Sequence, residues 1–160
     1  VMNINVICVG KLKEKYWREA ESEYLKRLKR FTKVNIIEIA EEDIKSTISD
    51  REIRKLLLIE GERILSKIRR DPYVVSLAVN GKTFTSVGFA GFLKDMAVYG
   101  NRDVVFIIGS SYGLADTVIS KSDMLLSFGD FTYPHQLIRI MLLEQIYRAY
   151  KINSGEVYHK

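Results

Sequence analysis

The chain has 160 residues, 47% of them hydrophobic and 28% charged, enough apolar surface for one folded domain over residues 1–160 and too much for a disordered chain. Its apolar runs are short and interrupted, which argues against a membrane span, and a lone cysteine, Cys8, excludes an internal disulfide and argues against a thiolate metal site. Lys and Arg exceed Asp and Glu by 25 to 20, a net charge of +5 that tilts the choice of partner towards a polyanion such as RNA but is shared by many ordinary enzymes.

Asn3 to Gly10 reads as a first strand, rich in β-branched residues and closed by glycine. A helix is expected over Lys11 to Arg30, with Tyr16, Ala20, Tyr24 and Leu28 on one stripe. Its outer face carries many Lys and Arg among several Glu. That is either a solvated face with ordinary charge pairs or, since the cations gather at both ends, a phosphate-facing surface. Lys33 to Ala40 is a second strand. Ser49-Asp-Arg-Glu52 has the spacing of a capping box, and the helix it opens is expected to run to Arg70. Tyr73 to Val79 forms a third strand, apolar enough to be covered on both faces, and Asn80-Gly81 signals a turn. Thr85 or Ser86 caps the next helix, which Gly100 ends. Asp103 to Gly109 is the fourth strand, a short helix spans 114–121, and Met124 to Phe128 is the fifth strand. Pro134 and His135 then open a long C-terminal helix, with Pro suited to its first helical position. Strands alternating with helices at crossover spacing give an α/β fold with a mostly parallel sheet.

The last helix has almost no polar face: Leu137, Ile138, Ile140, Met141, Leu142, Leu143, Ile146 and Tyr147 surround most of it. Such a helix is buried on nearly all sides, and in a chain this small a second subunit is expected to cover part of it.

Ligands of open α/β sheets gather beyond the carboxyl ends of the strands. Three such ends offer polar or glycine-rich loops: Leu77 to Asn80, Gly109-Ser-Ser-Tyr-Gly113, and Phe128-Gly-Asp-Phe-Thr-Tyr133. None matches the dinucleotide glycine fingerprint, and none carries the Lys-Ser/Thr of a P-loop. The two histidines are His135, at the helix start, and His159, between Tyr158 and Lys160. A terminal trio of this kind is a frayed tail by default. Together, though, Tyr, His and Lys have the chemistry to stack on a base, move a proton and hold a phosphate.

Several stretches, in one order along nearly the whole chain, resemble the RlmH family, pseudouridine N3-methyltransferases of large-subunit (23S) ribosomal RNA in the SPOUT class. They are Val9-Gly-Lys-Leu-Lys-Glu-Lys-Tyr16, Phe106-Ile-Ile-Gly109, Gly113-Leu114, Leu126-Ser-Phe128, Pro134-His-Gln136, Glu144-Gln-Ile-Tyr-Arg-Ala149, Lys151-Ile152 and Gly155-Glu-Val-Tyr-His159. The resemblance implies a SPOUT-type fold with a C-terminal trefoil knot, and S-adenosylmethionine held by Leu77, Gly109, Phe128, Gly129, Asp130, Phe131, Thr132 and Tyr133. It also implies a ribosomal substrate, probed by His159 as base with Tyr158 positioning the target and Lys160 its phosphate. His135 and Arg139 are further candidates for structural support or RNA contact. The family's arrangement is a homodimer in which one subunit supplies the cofactor and its partner the tail. Ser110 departs from the pattern, since many relatives carry a second glycine there. No metal is implied, and the absence of a charged-then-apolar leader suits a cytoplasmic protein. Two other readings stay open: a nucleotide-dependent oxidoreductase, and a non-catalytic ribosome- or RNA-binding homodimer.

Overall fold

The computed structural model describes residues 2–43 and 47–157. Five parallel strands form one sheet: β1 (Asn3–Val9), β2 (Lys33–Ile39), β3 (Tyr73–Lys82), β4 (Val104–Ile108) and β5 (Met124–Leu126), in the order β2-β1-β4-β3-β5. The helices are α1 (Lys15–Leu28), α2 (Asp50–Leu65), α3 (Ser86–Asp95), α4 (Asp116–Lys121) and α5 (His135–Asn153). Side chains of a strand alternate between faces, and the two cores follow that rule. Ile4, Val6, Cys8, Val104, Phe106 and Ile108 face α1, α3 and α5. Ile7, Val9, Val105 and Ile107 face α2 and α4. The fold is the α/β arrangement expected, with the strongest apolar run, β4, buried at every position. Among the described residues no helix is long and apolar enough to cross a membrane.

Four local expectations change. The first helix starts at Lys15, because Gly10 turns the chain with φ +94° and Leu12 is buried, leaving 11–14 as an anchored loop. The second helix has its capping box, with Ser49 and Glu52 bonding each other's backbone, but ends at Leu65; Arg70 and Asp71 both adopt positive φ. Asn101, with φ 49°, supplies the left-handed residue expected of Gly100, after a π-helical turn over Met96–Gly100. Pro134 is the cap itself, one position ahead of the helix it was expected to begin.

Asn80-Gly81 makes no hairpin turn. Leu77 and Lys82 both pair with Leu126, so residues 78–81 form an excursion within β3 beside the short edge strand. Gly81 is required there, since a Cβ would lie 2.7 Å from the Leu125 carbonyl carbon, closer than any side chain tolerates.

Helix α5 lies between α1 and α3, and its inner stripe is fully covered by its own chain. Leu142, Leu143 and Ile146 are inaccessible to solvent, so Leu142 reports on the core and not on a second subunit. The outer stripe, Leu137, Ile140 and Met141, is only half-buried.

Candidate active site

A cavity of about 760 Å³ opens at the carboxyl ends of β3, β4 and β5, inside the range of about 300–1,000 Å³ common for small-molecule sites. One wall is Leu77–Asn80, the second Gly109–Leu114, and the third runs from Leu126 through Phe128, Gly129 and Phe131–His135 to Ile138. The first turn of α5 therefore closes the site.

Each wall is shaped by a local device. A Cβ on Gly109 would sit 2.4 Å from the Gly113 carbonyl oxygen, so only glycine lets β4 leave the sheet against its own returning turn. That turn closes with Gly113 N–H donating to the Ser110 carbonyl at 2.9 Å, Gly113 taking φ +93°. Ser127 joins the other two walls: its hydroxyl donates to the Val79 carbonyl at 3.0 Å and accepts from Gly129 N–H at 3.0 Å. Gly129 has φ +102°, which reverses the chain into the aromatic segment.

Behind the Gly109–Gly113 turn lies Glu60, 2% exposed. Its carboxylate accepts from Ser110 Oγ at 3.1 Å and from Glu42 N–H at 3.1 Å. Burial pushes this carboxyl above its ordinary range, partly offset by those two hydrogen bonds. The departure at residue 110 thus has a structural use here: a serine hydroxyl ties the cavity turn to α2.

Leu77, Gly109, Phe128, Gly129, Phe131, Thr132 and Tyr133, all expected at the cofactor, line the cavity, and His135 lines it with them. Asp130 is exposed and lies outside the lining. Arg139 is elsewhere. Only 2% exposed, its guanidinium donates to Glu38 at 2.7 Å, to Glu21 at 3.2 Å and to the Gly10 carbonyl at 3.2 Å. Of the two roles open to Arg139, this geometry fits structural support. Cys8 is buried, and burial pushes its thiol up to about 12, which makes it inert as a nucleophile. Tyr158, His159 and Lys160 lie outside the described residues. Tyr112 belongs to a loop expected at the ligand, whereas Ile138 in the lining, and Glu60 and Ser127 behind it, were not singled out from the sequence as site residues.

Glu156 fixes the chain just ahead of that tail. Its carboxylate accepts two bonds of 2.9 Å from Arg30 and one of 2.9 Å from Ser154, and lies 3.3 Å from Lys151 Nζ. Held by these cationic and hydroxyl donors, it is pulled down to about 2.

The family described as "Predicted SPOUT methyltransferase" matches residues 2–159. Ribosomal RNA large subunit methyltransferase H of Lactobacillus johnsonii is 50% identical over 159 residues, covering 99% of this chain and 100% of that one. Its counterpart in Clostridium acetobutylicum is 48% identical over the same shares. Among solved structures, a Legionella pneumophila methyltransferase in complex with SAM aligns with TM-score 0.51 at 14% identity, over 92% of this chain and 66% of that one. A methylase-family protein of Haemophilus influenzae aligns with TM-score 0.53 at 11% identity, over 99% and 71%; both likenesses are of fold. Sequence agreement that runs from one end to the other, on a sheet whose carboxyl ends open into such a cavity, makes this chain a member of the SPOUT methyltransferase family.

Proposed function

We propose that the protein is an S-adenosylmethionine-dependent methyltransferase acting on N3 of a pseudouridine in large-subunit ribosomal RNA, on the assembled ribosome. The observation that carries this reading is the cavity closed by the first turn of α5, whose walls are the residues expected at the cofactor. Its size and mixed lining fit a nucleoside with a polar chain: Leu77 covers the face of the base, and the backbone of Gly109 and of the 128–133 segment reads its edge. The C-terminal path that makes these loops is read as knotted. Bound there, S-adenosylmethionine supplies a methyl group already activated on a sulfonium centre. What the protein adds is alignment of the acceptor and removal of the imide proton.

His159 is the proposed base, with Tyr158 and Lys160 holding the target, and these residues act on a partner's cavity. Helix α5 starts at the cavity, and Glu156 is tied beside Lys151, about 24 Å along the axis at 1.5 Å per residue. From Glu156, the chain to His159 spans at most about 10 Å. A tail launched there falls well short of its own cavity, so the complete site needs a second copy. The half-buried stripe Leu137, Ile140 and Met141, beside the exposed Phe131 and Val79 at the cavity lip, is the apolar surface such a copy would cover. Synthesis and use on ribosomes place the enzyme in the cytoplasm.

The test is labelled-methyl transfer to intact ribosomes and to free rRNA, followed by nucleoside mass spectrometry. A 3-methylpseudouridine from ribosomes is expected. Folded protein that binds no S-adenosylmethionine by calorimetry would instead support the non-catalytic ribosome binder, and the full-length likeness to methyltransferases leaves the oxidoreductase reading without support.

A further inference from the structure

The loop ahead of α1 is short, strongly cationic and rigid, and it stands at the cavity. From Lys11 to Arg18 the sequence carries four cations against one carboxylate, Glu14, in a chain whose net charge is +5. Lys11 and Lys13 are exposed on either side of Leu12, which is buried and pins the loop. Neither lysine has a carboxylate partner among the described residues, whereas Lys15 pairs with Glu19 at 3.7 Å. The loop is held at both ends. Gly10 N–H donates to the Ile39 carbonyl at 2.9 Å and its own carbonyl accepts from Arg139. At the other end Arg18 donates to the Leu12 and Lys13 carbonyls.

Its position is fixed by Gly10. A Cβ built on Gly10 would lie 3.9 Å from His135 Nε2, and His135 lines the cavity. Of the acids nearby, Glu41 places its carboxylate on the Gly10 side, 3.1 Å from that same Cβ position, and Glu21 and Glu38 are paired with Arg139. The lysines beyond Gly10 face solvent. Beside them Tyr16 is 61% exposed, its ring 5.0 Å from Trp17. Fixed cations next to an exposed aromatic ring are what a nucleic-acid strand needs: charge for its phosphates and a face for an unstacked base.

We propose that Lys11 and Lys13 grip phosphates of the ribosomal RNA strand whose target base enters the cavity past His135, with Tyr16 as a stacking platform beside them. This rests on the methyltransferase reading and adds the surface that holds its substrate. Preordering of the loop backbone confines the ordering cost of binding to the lysine side chains, which gives a reason for four hydrogen bonds to the backbone of so short a segment.

The test compares wild type with Lys11→Gln/Lys13→Gln and with a control, Arg51→Gln/Lys55→Gln, two exposed cations on α2 across the sheet. Binding to deproteinised large-subunit rRNA is measured across a salt series, with KM and kcat on ribosomes and S-adenosylmethionine affinity by calorimetry. The loop variant is expected to bind RNA on the order of tenfold more weakly, with a salt slope smaller by about 1.4 to 1.8 for two lost phosphates. Its KM for ribosomes rises while kcat and cofactor affinity hold, and the control stays at wild type. An unchanged salt slope, or an equal loss in the control, overturns the proposal. So does a loss seen with ribosomes but not with bare RNA, which would make the partner a ribosomal protein. If wild type binds RNA through this loop yet transfers no methyl group, the RNA grip stands and the methyltransferase reading falls.

Discussion

Mixing two inactive variants measures whether the tail serves its own subunit or its partner. Gly109→Val ruins the cavity, because a Cβ there meets the Gly113 carbonyl oxygen at 2.4 Å and Leu114 Cδ2 at 2.8 Å. Thr132→Arg does the same from the exposed cavity rim without touching the core. His159→Ala leaves the cavity and cofactor affinity intact and removes the proposed base. Each variant alone is expected to transfer methyl groups slowly or not at all. In a cis arrangement no combination of the two restores a complete site. In trans, a mixed dimer regains one: the His159→Ala subunit brings its cavity, and the other subunit brings its tail. Each mixed dimer has one working site of two, so dimers carrying both tags are expected to recover about half of wild-type activity, and an unselected random mixture about a quarter. The geometry predicts trans, since Glu156 is anchored beside Lys151, about 20 Å along α5 from Ile138 at the cavity's end, and its next three residues reach at most about 10 Å. The assay is methyl transfer by differently tagged subunits co-expressed and purified through both tags. Wild-type melting of each variant guards against misfolding. Activity no higher than the parents', in dimers proved to be mixed, would refute the trans site.

Three other outcomes follow from the packing. Burial raises the Glu60 carboxyl above its ordinary value, so between those two values the folded protein holds a proton that the unfolded chain has released. Stability therefore falls as pH rises through that window; Glu60→Gln, whose amide can still meet Ser110 and Glu42, removes the fall, and urea midpoints that stay parallel across pH would contradict this. Arg139→Met strands Glu21 and Glu38 and costs about 3 kcal/mol in chemical denaturation, the low end for breaking such a pair because both carboxylates keep some solvent. A loss under 1 kcal/mol, to an order of magnitude, would mean the ion cluster adds nothing to the fold. Leu142→Arg buries a charge in the monomer core and gives insoluble protein, while Ile140→Arg on the outer stripe leaves the protein folded and halves the mass in light scattering, with melting lowered only by the lost association. A folded Leu142→Arg or a dimeric Ile140→Arg would misplace that helix.

Period and composition made most of the framework legible. The apolar runs of β1, β3 and β4, the Ser49–Glu52 box and the Thr85 cap, which accepts from Gly88 N–H at 2.9 Å, are local features that local rules describe. The aromatic loop at 128–133 was legible because it runs between two stretches of a whole-chain resemblance, Leu126–Phe128 and Pro134–Gln136, and all of its residues but Asp130 line the cavity. What escaped depended on contacts between distant segments. Asn80-Gly81 signals a turn, but the edge strand β5 offers Leu126 to both Leu77 and Lys82 and keeps the segment beside the sheet. Glu60 stood in the buried stripe of α2, four residues from both Leu56 and Ile64. That spacing was available as a signal of a buried carboxylate; its partner, Ser110, lies 50 residues away and was not. Arg139, set among Leu142, Leu143 and Ile146 on the inner stripe, is the same case with the opposite charge.

The four-residue excursion in β3 has a consequence for how the protein can change. Strand β5 is three residues long and pairs with Val75, Ser76 and Leu77, while Lys82 returns to Leu126, the residue already opposite Leu77. Ser127 then transmits that register to the aromatic loop through Val79. Inserting or deleting a residue among 78–81 would leave the central strands in register while shifting one cavity wall against another. Pocket width is therefore adjustable by segment length at the sheet's edge, and a ligand analogue too bulky for the native site would be accommodated there more readily than by repainting the lining.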